Sequence, residues 1–293
     1  MNYPLFDTHT HLYFPSFAGK LNEVLADCTQ KNVKHQIQIG CDEITSQVAL
    51  DMAKQYENFY CTLGLHPSDT NKIGIKDLEH HRYVGNNKYI PKAKNFDELF
   101  SFFSEIFKKN AENIVGFGET GFDLYHENST EIYELQKDSF FRHLTLCEQF
   151  NRPFILHSRN AKKETLEVLE AEFSKRKNLR GIWHCFCEDA QTAQIATGQF
   201  GMFLGIGGIL TYNNTENIRE AVKQTPIEFL VTETDAPFLI PRKAKNKKVR
   251  LNSAALLPEV VELIAEIKNM EQEECAHILY ANAKRAFGLE FEL

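Results

Sequence analysis

The stretch Tyr3-Pro4-Leu5-Phe6-Asp7-Thr8-His9-Thr10-His11 decides how the rest of the chain is read. Its apolar start, Tyr3–Asp7, has strand character, and the run ends in polar residues. Side chains at i and i+2 of a strand share a face, so His9 and His11 can meet one ion together. Alone, a His-x-His pair is more often packing or surface chemistry than a ligand pair. Its weight depends on whether other strands end in the same way.

Seven more candidate strands follow: His35–Gly40, Tyr60–Gly64, Ile114–Gly118, Pro153–His157, Gly181–His184, Gly201–Gly205 and Glu228–Thr232. Most are continuous apolar runs, as expected of parallel strands buried on both faces. Helical spacing lies between them, in Leu21/Val24/Leu25/Cys28, Phe96/Leu99/Phe100/Phe103, Phe140/Leu144/Cys147, Leu166/Leu169/Phe173 and Ile218/Ala221/Val222. After the eighth strand, Val260, Val261, Ile264 and Ile267 mark a long helix with Pro258 near its start. Cys275, Ile278 and Leu279 mark one more. Alternating strands and helices define an α/β protein with a parallel sheet. Eight repeats in 293 residues predict a (β/α)8 TIM barrel with extra C-terminal helices, read as a single domain over 1–293. A doubly wound sheet is the alternative. It would carry a Gly-rich phosphate loop after an early strand, and Gly205-Ile206-Gly207-Gly208 is a weak candidate for one.

Two segments break the rhythm. Ser68–Asn95, with His80, His81, Gly85, Asn86 and Asn87, is long for a loop. Arg242–Arg250 holds six Lys or Arg in nine positions.

A net charge of −7 argues against a protein that coats nucleic acid by general electrostatics, but not against local phosphate contacts. No apolar run reaches the length of a membrane span, and the N-terminus lacks the pattern of a secretory signal. Seven scattered cysteines, an odd number, fit reduced thiols. The expectation is a cytoplasmic protein with no membrane contact.

In a (β/α)8 barrel the active site forms at the C-terminal ends of the strands. Those ends carry His9 and His11, His66, Glu119, His157 with Arg159, His184, and Glu233 with Asp235. Each has a bland reading: a hydrogen-bonded core histidine, a helix N-terminal acid, a turn aspartate. Their joint appearance at strand ends points instead to a metal centre, since imidazoles with carboxylates suit Zn²⁺, Mn²⁺ and related ions. Cys185 and Cys187 lack a second cysteine pair and are read as structural. His143 and His277 sit in helical patterns and are read as packing or surface residues. Tyr13, Phe14, Tyr125 and Phe238 lie near the rim motifs. Packing is their default reading and base stacking the sharper one.

Phe6–Leu12, Gly64–Pro67, Gly118–Asp123, Leu156–Ala161, His184–Phe186 and Glu233–Pro237 together resemble the motif series of the TatD-type deoxyribonucleases, metal-dependent hydrolases related to the amidohydrolases. The similarity runs in order through Asn282–Phe287, over nearly the whole chain. It implies two divalent ions (Mg²⁺, Mn²⁺ or Zn²⁺), the first held by His9, His11, Glu119 and Asp235, the second by Glu119, His157 and His184. It also implies hydrolysis of DNA phosphodiesters, acting 3′→5′ on single strands or 3′ ends, with no obligate protein partner. Asp235 and Glu119 would be catalytic, with His66 and Glu233 near the substrate. His66 and Arg159 could meet a phosphoryl oxygen, and Lys243, Lys245, Lys247 and Arg250 the flanking phosphates. Two features depart from the pattern. Ser68–Asn95 is longer than the usual loop, and Ser253-Ala254-Ala255 replaces the proline usual near Asn252. The same rim would also serve hydrolysis of a small amide, lactone or phosphoester, or a metal-binding protein with little catalysis.

Overall fold

A computed structural model describes residues 3–73 and 89–290. Its strands are β1 (Leu5–Thr10), β2 (Val33–Gln38), β3 (Phe59–Leu63), β4 (Ile114–Asp123), β5 (Phe154–Arg159), β6 (Gly181–Trp183), β7 (Phe203–Ile206) and β8 (Leu230–Thr232). They line up in one sheet in chain order, the neighbour order of a (β/α)8 barrel. The β3–β4, β4–β5 and β7–β8 pairs are parallel.

Each strand read from the sequence overlaps an observed one, and the differences in extent matter for the site. β1 runs on through His9 to Thr10, and β4 continues past Gly118 to Asp123. β8 is shorter than expected, because Ile227–Phe229 forms a 3-10 turn.

The helices are α1 (Leu21–Gln30), α2 (Glu43–Gln55), α3 (Phe96–Lys109), α4 (Thr130–Phe150), α5 (Lys162–Lys175), α6 (Ala190–Gln194), α7 (Glu216–Gln224), α8 (Arg242–Asn246), α9 (Leu257–Lys268) and α10 (Gln272–Phe287). The last two are the extra C-terminal helices. α2 shows no clean apolar stripe in the sequence because it is buried on more than one side, Ser46 and Leu50 included. Its start is fixed by Asp42, which accepts the Thr45 N–H at 2.7 Å in a capping box.

The chain divides into two compact units, residues 1–37 with 183–293, and residues 38–182. In the first, Phe6, Trp183, Leu204, Val231, Val260 and Ile264 are buried. Phe6 packs on His35 and Tyr280 at 5.3 and 5.8 Å between ring centres. In the second the core is aromatic. Phe107 stacks on Phe150 at 4.3 Å, and Phe140 meets Phe122 and Phe154 at 5.6 Å each.

Most of the Ser68–Asn95 segment, including His80, His81, Gly85, Asn86 and Asn87, lies outside the described residues. Its C-terminal end is strapped to buried Glu43, which accepts the Tyr89 hydroxyl at 2.7 Å and the N–H groups of Lys92 and Ala93 at 2.8 and 2.9 Å.

Candidate metal centre

The first unit gathers five of the residues singled out in the sequence. The end of β1 brings His9 and His11 together, with ring centres 5.1 Å apart. Asp235, just past β8, faces both: its Oδ1 lies 3.8 Å from His9 Nε2 and 3.4 Å from His11 Nε2. His184, after β6, brings a third Nε2 to 3.9 Å from the same oxygen, and its ring stacks on His9. These separations exceed the usual hydrogen-bond range. They resemble the ~3.4 Å between two donors that each sit about 2 Å from one tetrahedral ion. Burial would raise the Asp235 carboxyl, yet His11, His184 and His9 bring it below its ordinary value. An ionised carboxylate ringed by imidazole nitrogens fits a divalent cation.

Neighbours hold these ligands in place. The Tyr13 hydroxyl, fully buried, lies 2.8 Å from His11 Nδ1, which turns Nε2 toward Asp235. Glu233 Oε1 accepts the Cys185 N–H at 2.6 Å and lies 2.8 Å from His184 Nδ1. Glu233 is 1% exposed, so the structure places it behind His184. Gly205 makes room for it: a Cβ there would come 2.1 Å from Glu233 Oε2. The glycines of Gly205–Gly208 therefore serve close packing, because a Cβ on Gly208 would meet the Leu239 carbonyl at 2.0 Å. Asp7 ties β1 to the β8 loop. It accepts the N–H groups of His9 and Thr234 at 3.2 and 2.9 Å and the Thr234 hydroxyl at 2.5 Å. Burial lifts its carboxyl to about 7 against those hydrogen bonds.

The second unit gathers Glu119, His157 and His66, and adds Asp123. Glu119 Oε1 lies 2.7 Å from His157 Nδ1 and 3.6 Å from His66 Nε2. The other side of the His157 ring meets Asp123 Oδ2 at 3.2 Å. Burial opposes ionisation of Asp123, but His157 and the Tyr125 N–H pull it down to about 2. Burial pushes His66 down to about 4 against the pull of Glu119, so this imidazole is neutral at pH 7. His66, Asp123 and His157 place ligand atoms within 4.8 Å of one another, a second donor set suited to a cation. Arg159 lies with its guanidinium 3.8 Å over the Tyr125 ring and 4.0 Å from Asp123.

Asp123 is the ligand-type residue that the sequence reading did not assign. Glu119, Gly121 and Asp123 alternate along β4, but the strand was expected to stop at Gly118. Gly118 and Gly121 carry the chain onward at φ of +130° and +135°, where an L side chain is disfavoured. Gln136 of α4 then fixes Asp123, accepting its N–H at 3.1 Å and donating to its carbonyl at 3.0 Å. His143 is also more than packing. Its Nδ1 faces the Ser139 carbonyl at 2.8 Å and its Nε2 accepts the Leu65 N–H at 3.2 Å, so the partners assign the Nδ1–H tautomer.

The basic run is less uniform than its composition. Lys243 pairs with Glu262 at 2.6 Å, and Lys245 sits over the Tyr212 ring at 4.3 Å. Arg242 bonds to Asn213. Lys247 and Arg250 are exposed. Asn252, fully buried, donates to the carbonyls of Thr234 and Phe238 at 2.9 and 2.5 Å and so braces the loop that carries Asp235.

Histidine–carboxylate clusters at the strand ends of a (β/α)8 scaffold stand where barrel enzymes carry their active sites, and together with the family match they place the chain in the class of metal-dependent hydrolases. The sequence model of the TatD related DNase family matches residues 6–288. The chain belongs to the TatD family. It is 30% identical over 285 residues to YabD of Bacillus subtilis, an uncharacterized metal-dependent hydrolase, covering 97% of this chain and 99% of that one. It is 28% identical to YcfH of Escherichia coli K12, of the same description, covering 98% and 96%. Among solved structures, YjjV, a TatD homologue of Escherichia coli, superposes with a TM-score of 0.79 at 24% identity, covering 98% of each chain.

Proposed function

We propose that this TatD-family hydrolase cleaves DNA phosphodiester bonds, working 3′→5′ on single strands or 3′ ends with two divalent ions. The observation that carries the reading is the convergence of His9, His11 and His184 Nε2 on Asp235 Oδ1 at 3.4–3.9 Å. One ion is assigned to His9, His11 and Asp235, with His184 as a further imidazole donor, and a second to Glu119 and His157. Mg²⁺, Mn²⁺ or Zn²⁺ suits these donors.

When bound, a divalent ion makes water nucleophilic near neutral pH and offsets charge on phosphoryl oxygens. Asp235 is the proton acceptor. It is ionised, and at 16% exposure its side chain reaches solvent while its histidine neighbours are buried. Tyr13 and Glu233 keep His11 and His184 oriented, which limits reorganisation during turnover. Arg159 and His66 are assigned to phosphoryl oxygens, and Lys245, Lys247 and Arg250 to flanking phosphates. The pairing of Lys243 with Glu262 withdraws one cation from that run and favours, as second reading, a smaller phosphoester substrate. Seven cysteines, an odd number scattered along the chain, fit a reducing, cytoplasmic setting.

The test is incubation of metal-loaded protein with 3′- and 5′-labelled single- and double-stranded DNA, RNA and small esters. Shortening of single-stranded DNA from its 3′ end is expected, and Asp235→Asn should slow it by roughly a thousandfold or more. Cleavage of the small esters alone would replace DNA by the second reading.

A further inference from the structure

Phe238 is one of few large apolar side chains that the described residues expose, at 49%. Burial would be favourable for a phenyl ring, so folding does not account for its position. Nor is it a stray surface residue. Its ring meets Phe14 edge-to-face at 5.5 Å, and both rings meet His11, at 5.5 Å for Phe14 and 6.5 Å for Phe238. Tyr13, which also contacts His11, stacks on Phe14 at 5.4 Å.

The backbone around Phe238 is held firmly. Its N–H donates to the Asp235 carbonyl at 2.8 Å, and its own carbonyl accepts from buried Asn252. Asp235 and Leu239 on either side adopt φ of +53° and +54°, a left-handed conformation that aspartate tolerates and that is costly for Leu239. Strain and bracing together maintain an exposed aromatic ring three residues from the carboxylate of the metal centre.

We infer that Phe238, backed by Phe14, is a stacking platform for the nucleobase of the nucleotide whose phosphate lies at the His9–His11–Asp235 cluster. Every base offers a π face, so such a platform accepts nucleotides without regard to sequence. A planar base fits the exposed ring, and Phe14 backs that ring edge-to-face at 5.5 Å. The inference rests on the proposed action on DNA and adds a second point of recognition, apart from phosphate charge.

The experiment uses the full-length, metal-loaded protein and a single-stranded oligonucleotide with phosphorothioate linkages, carrying 2-aminopurine at either end in turn. Binding should quench the fluorophore at one end. Phe238→Ala should abolish the quenching and weaken binding about tenfold, while Phe238→Trp should keep both. Replacing that terminal base by an abasic site should weaken binding to wild-type protein by a similar factor and leave Phe238→Ala unaffected. Equal base-to-abasic discrimination in wild type and Phe238→Ala would overturn the platform. Unmodified labelled DNA given to the same preparations separates the two claims. Cleavage without base discrimination rejects the platform and keeps the nuclease. Quenching without cleavage does the reverse, and neither signal rejects both.

Discussion

Glu233 Oε1 lies 2.8 Å from His184 Nδ1 and accepts the Cys185 N–H at 2.6 Å, so one buried carboxylate fixes both the ring and the backbone of the β6 rim. Carboxylates behind metal-binding histidines orient the ring and raise its basicity. Glu233→Gln should lower affinity for Mn²⁺ or Zn²⁺ by about 10- to 100-fold. Isothermal titration of metal-free protein checks this, with a thermal melt to establish that the variant is folded.

Tyr13→Phe removes only a hydroxyl, the one 2.8 Å from His11 Nδ1. The phenyl ring keeps its place against Phe14. A fall of about tenfold in metal affinity is expected, with melting temperature little changed. Unaltered affinity would mean that Asp235 and the strand geometry alone orient His11.

Gly205→Ala should act on the same group from another side, because the added Cβ lies 2.1 Å from Glu233 Oε2. The double variant Gly205→Ala/Glu233→Gln should lose less metal affinity than the sum of the two single losses. Additive losses would show that Gly205 matters for some reason other than room for Glu233.

Stability should fall in mild acid through His143. Its folded pKa is lowered from 6.5 to about 4 by burial, only partly countered by the bond to Ser139. The unfolded chain therefore takes up the proton first as pH drops below 6.5. Stability is full above that value, declines between about 6.5 and 4, and levels off below. The loss is on the order of 3 kcal/mol for this residue alone. Urea denaturation across that range should give a shallower slope for His143→Gln, whose amide can still donate and accept.

The order of the elements was legible because most strands are compact apolar runs and the intervening helices, α2 and the short α6 apart, carry a one-sided stripe. The ligand types were legible at strand ends, where His9, His11, His157, His184 and Asp235 each follow such a run. Asp123 was not, because glycines at 118 and 121 mimic the end of a strand that in fact continues. The parts played by Tyr13, Gln136 and His143 depend on contacts with a rim residue that local sequence does not encode. The pairing of Lys243 with Glu262, nineteen positions away, hides in the same manner behind a run of positive charge.

The most direct test is the metal content of protein reconstituted with Mn²⁺ or Zn²⁺ and then dialysed, measured by elemental analysis. About two ions per chain are expected for the wild type, and about one after His9→Ala/His11→Ala. Fewer than one ion per chain in the wild type would contradict the assignment of these clusters as a hydrolytic metal centre.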